Sequence, residues 1–102
     1  ADMGANAFTH YENAVDHDMK KTFLAAVRDA QWSYGHAGYS GSIAEKRSVV
    51  HIAKVATSQE ARKLADDLIE SQDPRIKDKW GPAGAIEVED PHGWVFFGWA
   101  SS

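Results

Sequence analysis

The chain has 102 residues, 43% of them hydrophobic, which suits one globular domain able to build a core without covalent staples. Its 11 Lys and Arg against 15 Asp and Glu leave a net charge of -4 with no basic stripe, so nucleic acid is disfavoured as a partner. The absence of Cys excludes disulfides, thiolate metal sites and cysteine nucleophiles, and no run approaches the roughly 18 apolar residues of a membrane span.

The N-terminus lacks a basic segment followed by an apolar one, so a cytoplasmic setting is expected. Ala1-Asp2 before Met3 reads as a scar of expression, leaving 3–102 as a single domain. Residues 4–15 hold no sustained period and are expected as an ordered arm anchored by Phe8, Tyr11 and Val15. Asp16 and Asp18 can cap a helix start by accepting free amide hydrogens. Met19, Phe23, Val27, Ala30 and Tyr34 then fall on one helical face, which predicts a helix over 17–34 ended by Gly35.

A glycine-rich stretch, 35–41, follows. Ser42-Ile43-Ala44-Glu45 is expected as a short strand, turning at Glu45-Lys46-Arg47 into a β-branched strand over 48–55. Thr57-Ser58-Gln59-Glu60 has the pattern of a capping box, and Ala61, Leu64, Ala65, Leu68 and Ile69 carry a second helix to about 71. A charged loop over 73–82 leads to a strand at 85–89. Asp90-Pro91-His92-Gly93 fits a type I turn, and the last strand covers 94–100. The expected fold is α+β, in the order α-β-β-α-β-β, with a four-stranded, mainly antiparallel sheet and both helices on one face. Phe23, Val27, Ile43, Val50, Ile52, Leu64, Leu68, Ile86, Val88 and Phe96 are the expected core.

Gly38, Gly41, Ser42 and Ile43 recur 43 residues later as Gly81, Gly84, Ala85 and Ile86, which suggests a duplicated joint opening two hairpins. Glycine before a strand is common, so chance explains the match equally well. The spacing Gly35-x-x-Gly38-x-x-Gly41 has the look of a phosphate cradle, but it runs from helix to strand and lacks G-K-[ST].

The five histidines show no helical pairing and no H-E-x-x-H, so neither a metal nor any cofactor is expected. His36 is the histidine placed for chemistry, near Tyr39, Ser40 and Glu45. In the second loop Lys79 and Trp80 are candidates to grip an anionic or planar ligand. Each residue has a plainer reading as a loop hydrogen bond, a solvated charge or a pinning aromatic. The final strand is the anomaly, because Trp94 and Phe96 face one way and Val95, Phe97 and Trp99 the other. With helices on one face only, the other needs a cover: the N-terminal arm with Phe8 and Tyr11, a second subunit, or a partner. Self-association is the favoured expectation, with Trp94, Val95, Phe97 and Trp99 as the candidate interface of a homo-oligomer.

The words Met3-Gly4-Ala5-Asn6, Tyr34-Gly35-His36-Ala37-Gly38-Tyr39-Ser40-Gly41-Ser42-Ile43-Ala44-Glu45-Lys46, Asp73-Pro74-Arg75-Ile76, Lys79-Trp80-Gly81-Pro82-Ala83-Gly84 and Phe96-Phe97-Gly98-Trp99-Ala100 resemble a family of small, uncharacterised phage and bacterial proteins. The resemblance implies no activity and no catalytic residue. It implies a phage accessory protein in the host cytoplasm. The leading expectation is a protein that binds or inhibits a host protein without catalysis. The alternative is a small nucleotide- or phosphate-binding module or enzyme centred on the two glycine loops.

Overall fold

The computed structural model describes residues 4–102; the reading of Ala1-Asp2 as a scar, and Met3, lie outside the described residues. The elements are β1 Ala5–Asn13, α1 Met19–Tyr34, a 3-10 turn Ile43–Glu45, β2 Val49–Val55, α2 Ser58–Glu70, β3 Ala83–Val88 and β4 Gly93–Ser101. Two helices and four strands make an α+β domain, with an element order that matches the expected one roughly. The sheet order is β1-β4-β3-β2. β1 and β3 both pair antiparallel with β4, but β2 pairs parallel with β3, so the sheet is mixed.

Both helix starts follow from local chemistry. The Asp18 carboxylate accepts from the Lys21 amide and the Thr57 hydroxyl from the Glu60 amide, each satisfying a donor that the first turn leaves open. α2 ends in a Schellman motif. Gln72 takes φ 54°, and the amides of Gln72 and Asp73 reach back to the carbonyls of Ile69 and Leu68.

Three expectations need correction. The segment foreseen as an arm is a nine-residue edge strand paired along its whole length with β4. Ser42–Glu45 is no strand, because the Ser42 hydroxyl accepts from the Ala44 amide and starts a 3-10 turn instead. The first hairpin is therefore absent, and the two glycine segments adopt different structures rather than a repeated joint. Third, the helices lie on opposite faces of the sheet. Phe23, Ala26 and Ala30 of α1 pack with Phe8, Ala85, Trp94 and Phe96, whereas Ala61 and Ala65 of α2 pack with Ile86, Val88, Val95 and Phe97.

Topology explains that result. The chain crosses from β1 at one edge to β2 at the other and then steps back inward to β3. Parallel crossovers share one hand, so two that run in opposite directions must place their helices on opposite faces.

A doubly covered β4 accounts for its apolar sequence without a second subunit. Trp94 is 4% exposed, while Val95 and Phe97 are fully buried inside the one chain; Trp99 is half-buried on the α2 side. Ile76, hidden in the charged loop after α2, is 1% exposed and plugs the same side. Of the expected core, Phe23, Ile43, Ile86, Val88 and Phe96 are buried, and Val27, Val50, Ile52, Leu64 and Leu68 are half-buried.

Candidate functional site

The α1 face of the sheet changes character along its strands. Strand register builds a row Phe8, Gly98, then Ala83 and Val49, followed by His10, Phe96, Ala85 and His51, and then by Glu12, Trp94, Glu87 and Lys54. Period-two alternation puts each set on one face. The apolar rows lie under α1. The last row carries charge on β1, β3 and β2 around the buried tryptophan of β4.

This end gathers four of the five histidines. His10 Nε2 meets Glu12 Oε1 at 2.8 Å, and His51 and His92 flank the Trp94 ring at 5.8 and 6.4 Å between centroids. His92 Nε2 lies 2.8 Å from Glu87 Oε2, and its Nδ1 lies 2.7 Å from His17 Nδ1. Burial raises the Glu12 carboxyl above its ordinary range, the His10 hydrogen bond opposes this, and a hydrogen bond with Asp29 of α1 adds to the rise. Trp94 Nε1 is the buried side-chain polar atom that has no hydrogen-bond partner among the described residues. His51 meets Trp94 from another strand and His17 meets His92 from 75 residues away, contacts that no local spacing reveals. Glu87 and His92 are five residues apart across the expected turn, so that pair alone lay within reach of a hairpin reading.

The expected site residues fall elsewhere and divide into separate roles. Ser40 and Glu45 do meet, since the Glu45 carboxylate accepts from the Ser40 hydroxyl at 2.7 Å and from its amide at 3.2 Å. That pair closes the glycine loop. His36 is exposed and lines a cleft of about 300 Å³ with Gln31, Gly38, Glu45 and Arg47. Tyr39 has φ 57° and is 52% exposed. Lys79 stands 5.4 Å over the Trp80 ring on the other loop, in a cleft with Lys77 and Trp99, and does not join His36. Among the described residues no three His, Asp or Glu side chains form a metal cage.

Lys46, next to the glycine motif, is the residue that ties the two loops together. Its ammonium donates to the carbonyls of Asp78, Lys79 and Gly81 at 3.3, 3.3 and 2.9 Å and is 4% exposed. Burial pulls it down to about 8, with the Asp78 charge opposing. Between that value and the ordinary lysine range the unfolded chain binds more protons than the folded one, so this group makes stability rise with pH. Lys46→Met should cost about 1–3 kcal/mol at pH 7 by orphaning three carbonyls. The gap between wild type and variant should widen by about 1–2 kcal/mol on going to pH 9.5, read by urea unfolding at both pH values. A gap that narrows would contradict a buried ammonium.

No protein-family model, curated protein or solved structure matches the chain.

A second surface stands out by exposure. Residues 32–39 are exposed throughout, yet they hold Trp32, Tyr34, His36 and Tyr39, with Trp32 91% exposed. Leu24, eight residues before Trp32 on α1, is 58% exposed. Arg28, Asp29, Gln31 and His36 share a shallow groove with Trp32, and Glu45 and Arg47 line the adjoining cleft.

Proposed function

We propose that this is a recognition protein that binds another protein through the exposed end of α1 and the glycine loop, without catalysis at that surface. The single observation that carries the reading is Trp32, left 91% exposed beside Tyr34, His36 and Tyr39. A tryptophan held in water forgoes about 2–3 kcal/mol of burial, and exposed tryptophan beside arginine is the usual make-up of an interface hot spot.

Charge bears on the partner. Arg28 lines the Trp32 groove together with Asp29, whose carboxyl also interacts with Glu12, and Arg47 lines the adjoining cleft together with Glu45. With both signs around an exposed tryptophan, the surface suits a different protein that offers an apolar groove with a mixed charged and polar rim. The family resemblance adds that the partner belongs to the host of a phage, with the protein acting by occupying that groove.

The nucleotide or phosphate reading has less support. The glycine loop sits at the C-terminal, partly negative end of α1, and Glu45 lies in it, so an anion gains nothing there from the helix. Wild-type protein immobilised against host extract should retain a partner that Trp32→Ala and Tyr39→Ala each release, with about 30-fold weaker binding at Trp32. Asp66→Ala, exposed on α2, should leave retention unchanged. Equal retention by all four proteins would overturn the proposal.

A further inference from the structure

We infer that His17 and His92 form a binding site for a divalent transition metal of the imidazole-seeking kind, such as Zn²⁺, Ni²⁺ or Cu²⁺. The site lies outside the recognition surface and is independent of it. The geometry begins with the rings. Their Nδ1 atoms are 2.7 Å apart, their centroids 4.7 Å, and their planes differ by 19°. Fully overlapped rings cannot bring two nitrogens so close, so these near-parallel rings are slid past one another until their Nδ1 edges meet. A ring nitrogen carries either a proton or a lone pair, and the two Nδ1 atoms face one another.

Glu87 decides which. Its carboxylate can only accept, so His92 donates Nε2–H to it at 2.8 Å, and neutral His92 keeps a lone pair on Nδ1. His17 therefore donates its Nδ1–H into that lone pair. A metal takes the place of that one proton. His17 is exposed, so its proton can shift from Nδ1 to Nε2 through water, and no proton need be lost from the pair. Both Nδ1 lone pairs are then free, and rotation of the exposed His17 side chain turns them from facing each other to facing one ion. Metal–nitrogen bonds of about 2.0–2.1 Å in tetrahedral geometry need the nitrogens roughly 3.3 Å apart, an opening of about half an ångström at an exposed side chain.

Two features around the pair favour a cation, and a third positions His17. The Glu87–His92 hydrogen bond is the carboxylate–histidine pairing that orients metal-bound imidazoles and raises their basicity. The open cleft of about 550 Å³ beside them carries Glu87 and Glu89 against Lys54 alone, a net negative lining. Asp16 and His17 both adopt left-handed backbone, at φ 51° and 53°, as the central pair of the tight turn closed by the Asp18 amide on the Val15 carbonyl, and this turn holds His17 beside His92. The chain supplies two nitrogens, and water completes the coordination. Because the ligands lie 75 residues apart in sequence, a bound metal clasps the turn before α1 to the β3–β4 hairpin.

The test is titration of tag-free wild-type chain with ZnCl₂ by calorimetry, repeated with CuCl₂ under electron paramagnetic resonance. One saturable site is expected, with a copper spectrum showing two coupled imidazole nitrogens and a rise in melting temperature with Zn²⁺. His17→Ala and His92→Ala should each weaken Zn²⁺ binding at least tenfold, and Glu87→Gln about tenfold through the lost supporting hydrogen bond. His36→Ala should bind as wild type does. Absence of saturable Zn²⁺ uptake, or uptake unaltered in both His17→Ala and His92→Ala, overturns the site. Loss of host-partner retention leaves these outcomes untouched, because the two surfaces are tested by different residues.

Discussion

Phe97→Ala is expected to lower the free energy of unfolding by about 3–5 kcal/mol, a large share of the stability of a domain this size. The side chain is fully buried on the α2 side of a central strand, against Ile76, Gly84 and the cluster of Ala61, Ala65 and Val95. Truncation removes the transfer energy of the ring and leaves a cavity that neighbouring strands, tied on both sides, cannot close. Urea midpoints measure the loss. Leu24→Ala, at a position 58% exposed, serves as the reference and should change stability by less than about 0.5 kcal/mol. If Phe97→Ala cost no more than that reference, α2 would not be covering this face, and the two-sided sheet would fail with it.

Gly84→Ala should be nearly as damaging, about 2–3 kcal/mol, through crowding rather than a cavity. A Cβ at Gly84 would stand 2.6 Å from Phe97 Cε1 and Cζ and 3.0 Å from Ile76 Cγ2. Neither neighbour is free to move, since both are buried. Gly84 and Phe97 face one another in register, so the glycine is what lets the ring lie flat across β3. Phe97→Leu shortens the offending side chain. Gly84→Ala should therefore cost at least 1 kcal/mol less in a Phe97→Leu background than alone, a coupling read from the four unfolding curves of a double-mutant cycle. Additive costs would place the clash elsewhere.

How legible was this fold? The helices were readable because their caps and apolar periods are local. Thr57 with Glu60, and Phe23 four residues after Met19, sit within one turn of each other. Strand β4 was readable as doubly apolar, but its cover was not. Which face a helix takes depends on where its crossover ends, and that β2 lies at the far edge from β1 is a property of pairing. β1 itself, Ala-Asn-Ala-Phe-Thr-His-Tyr-Glu-Asn, has weak strand propensity and owes its form to the long partner beside it. Ile76 was lost in a run of charges for the same reason, its burial coming from β3 and β4 above it.

The functional residues divide along the same line. The glycine motif was visible as a word, and the structure makes most of it architecture, with Ser40 held by Glu45 and Lys46 bridging to the second loop. Glu87 and His92 flank the expected turn at 90–93, but His17 comes from a turn 75 residues earlier, and nothing local in the sequence joins it to them. Trp32 could have been found: it lies off the face set by Met19, Phe23, Val27 and Ala30, where a large aromatic has no core to enter.

The central claim is that the Trp32 surface is where this protein meets its partner. Site-specific photo-crosslinking tests it most directly, with a benzophenone side chain placed at Trp32 in one sample and at Asp66 on α2 in another, both expressed in host cells. One dominant product of the chain with a host protein is expected from position 32, lost when Tyr39→Ala is added, and none from position 66. The same product from both positions, or only a doubled chain from position 32, would contradict it.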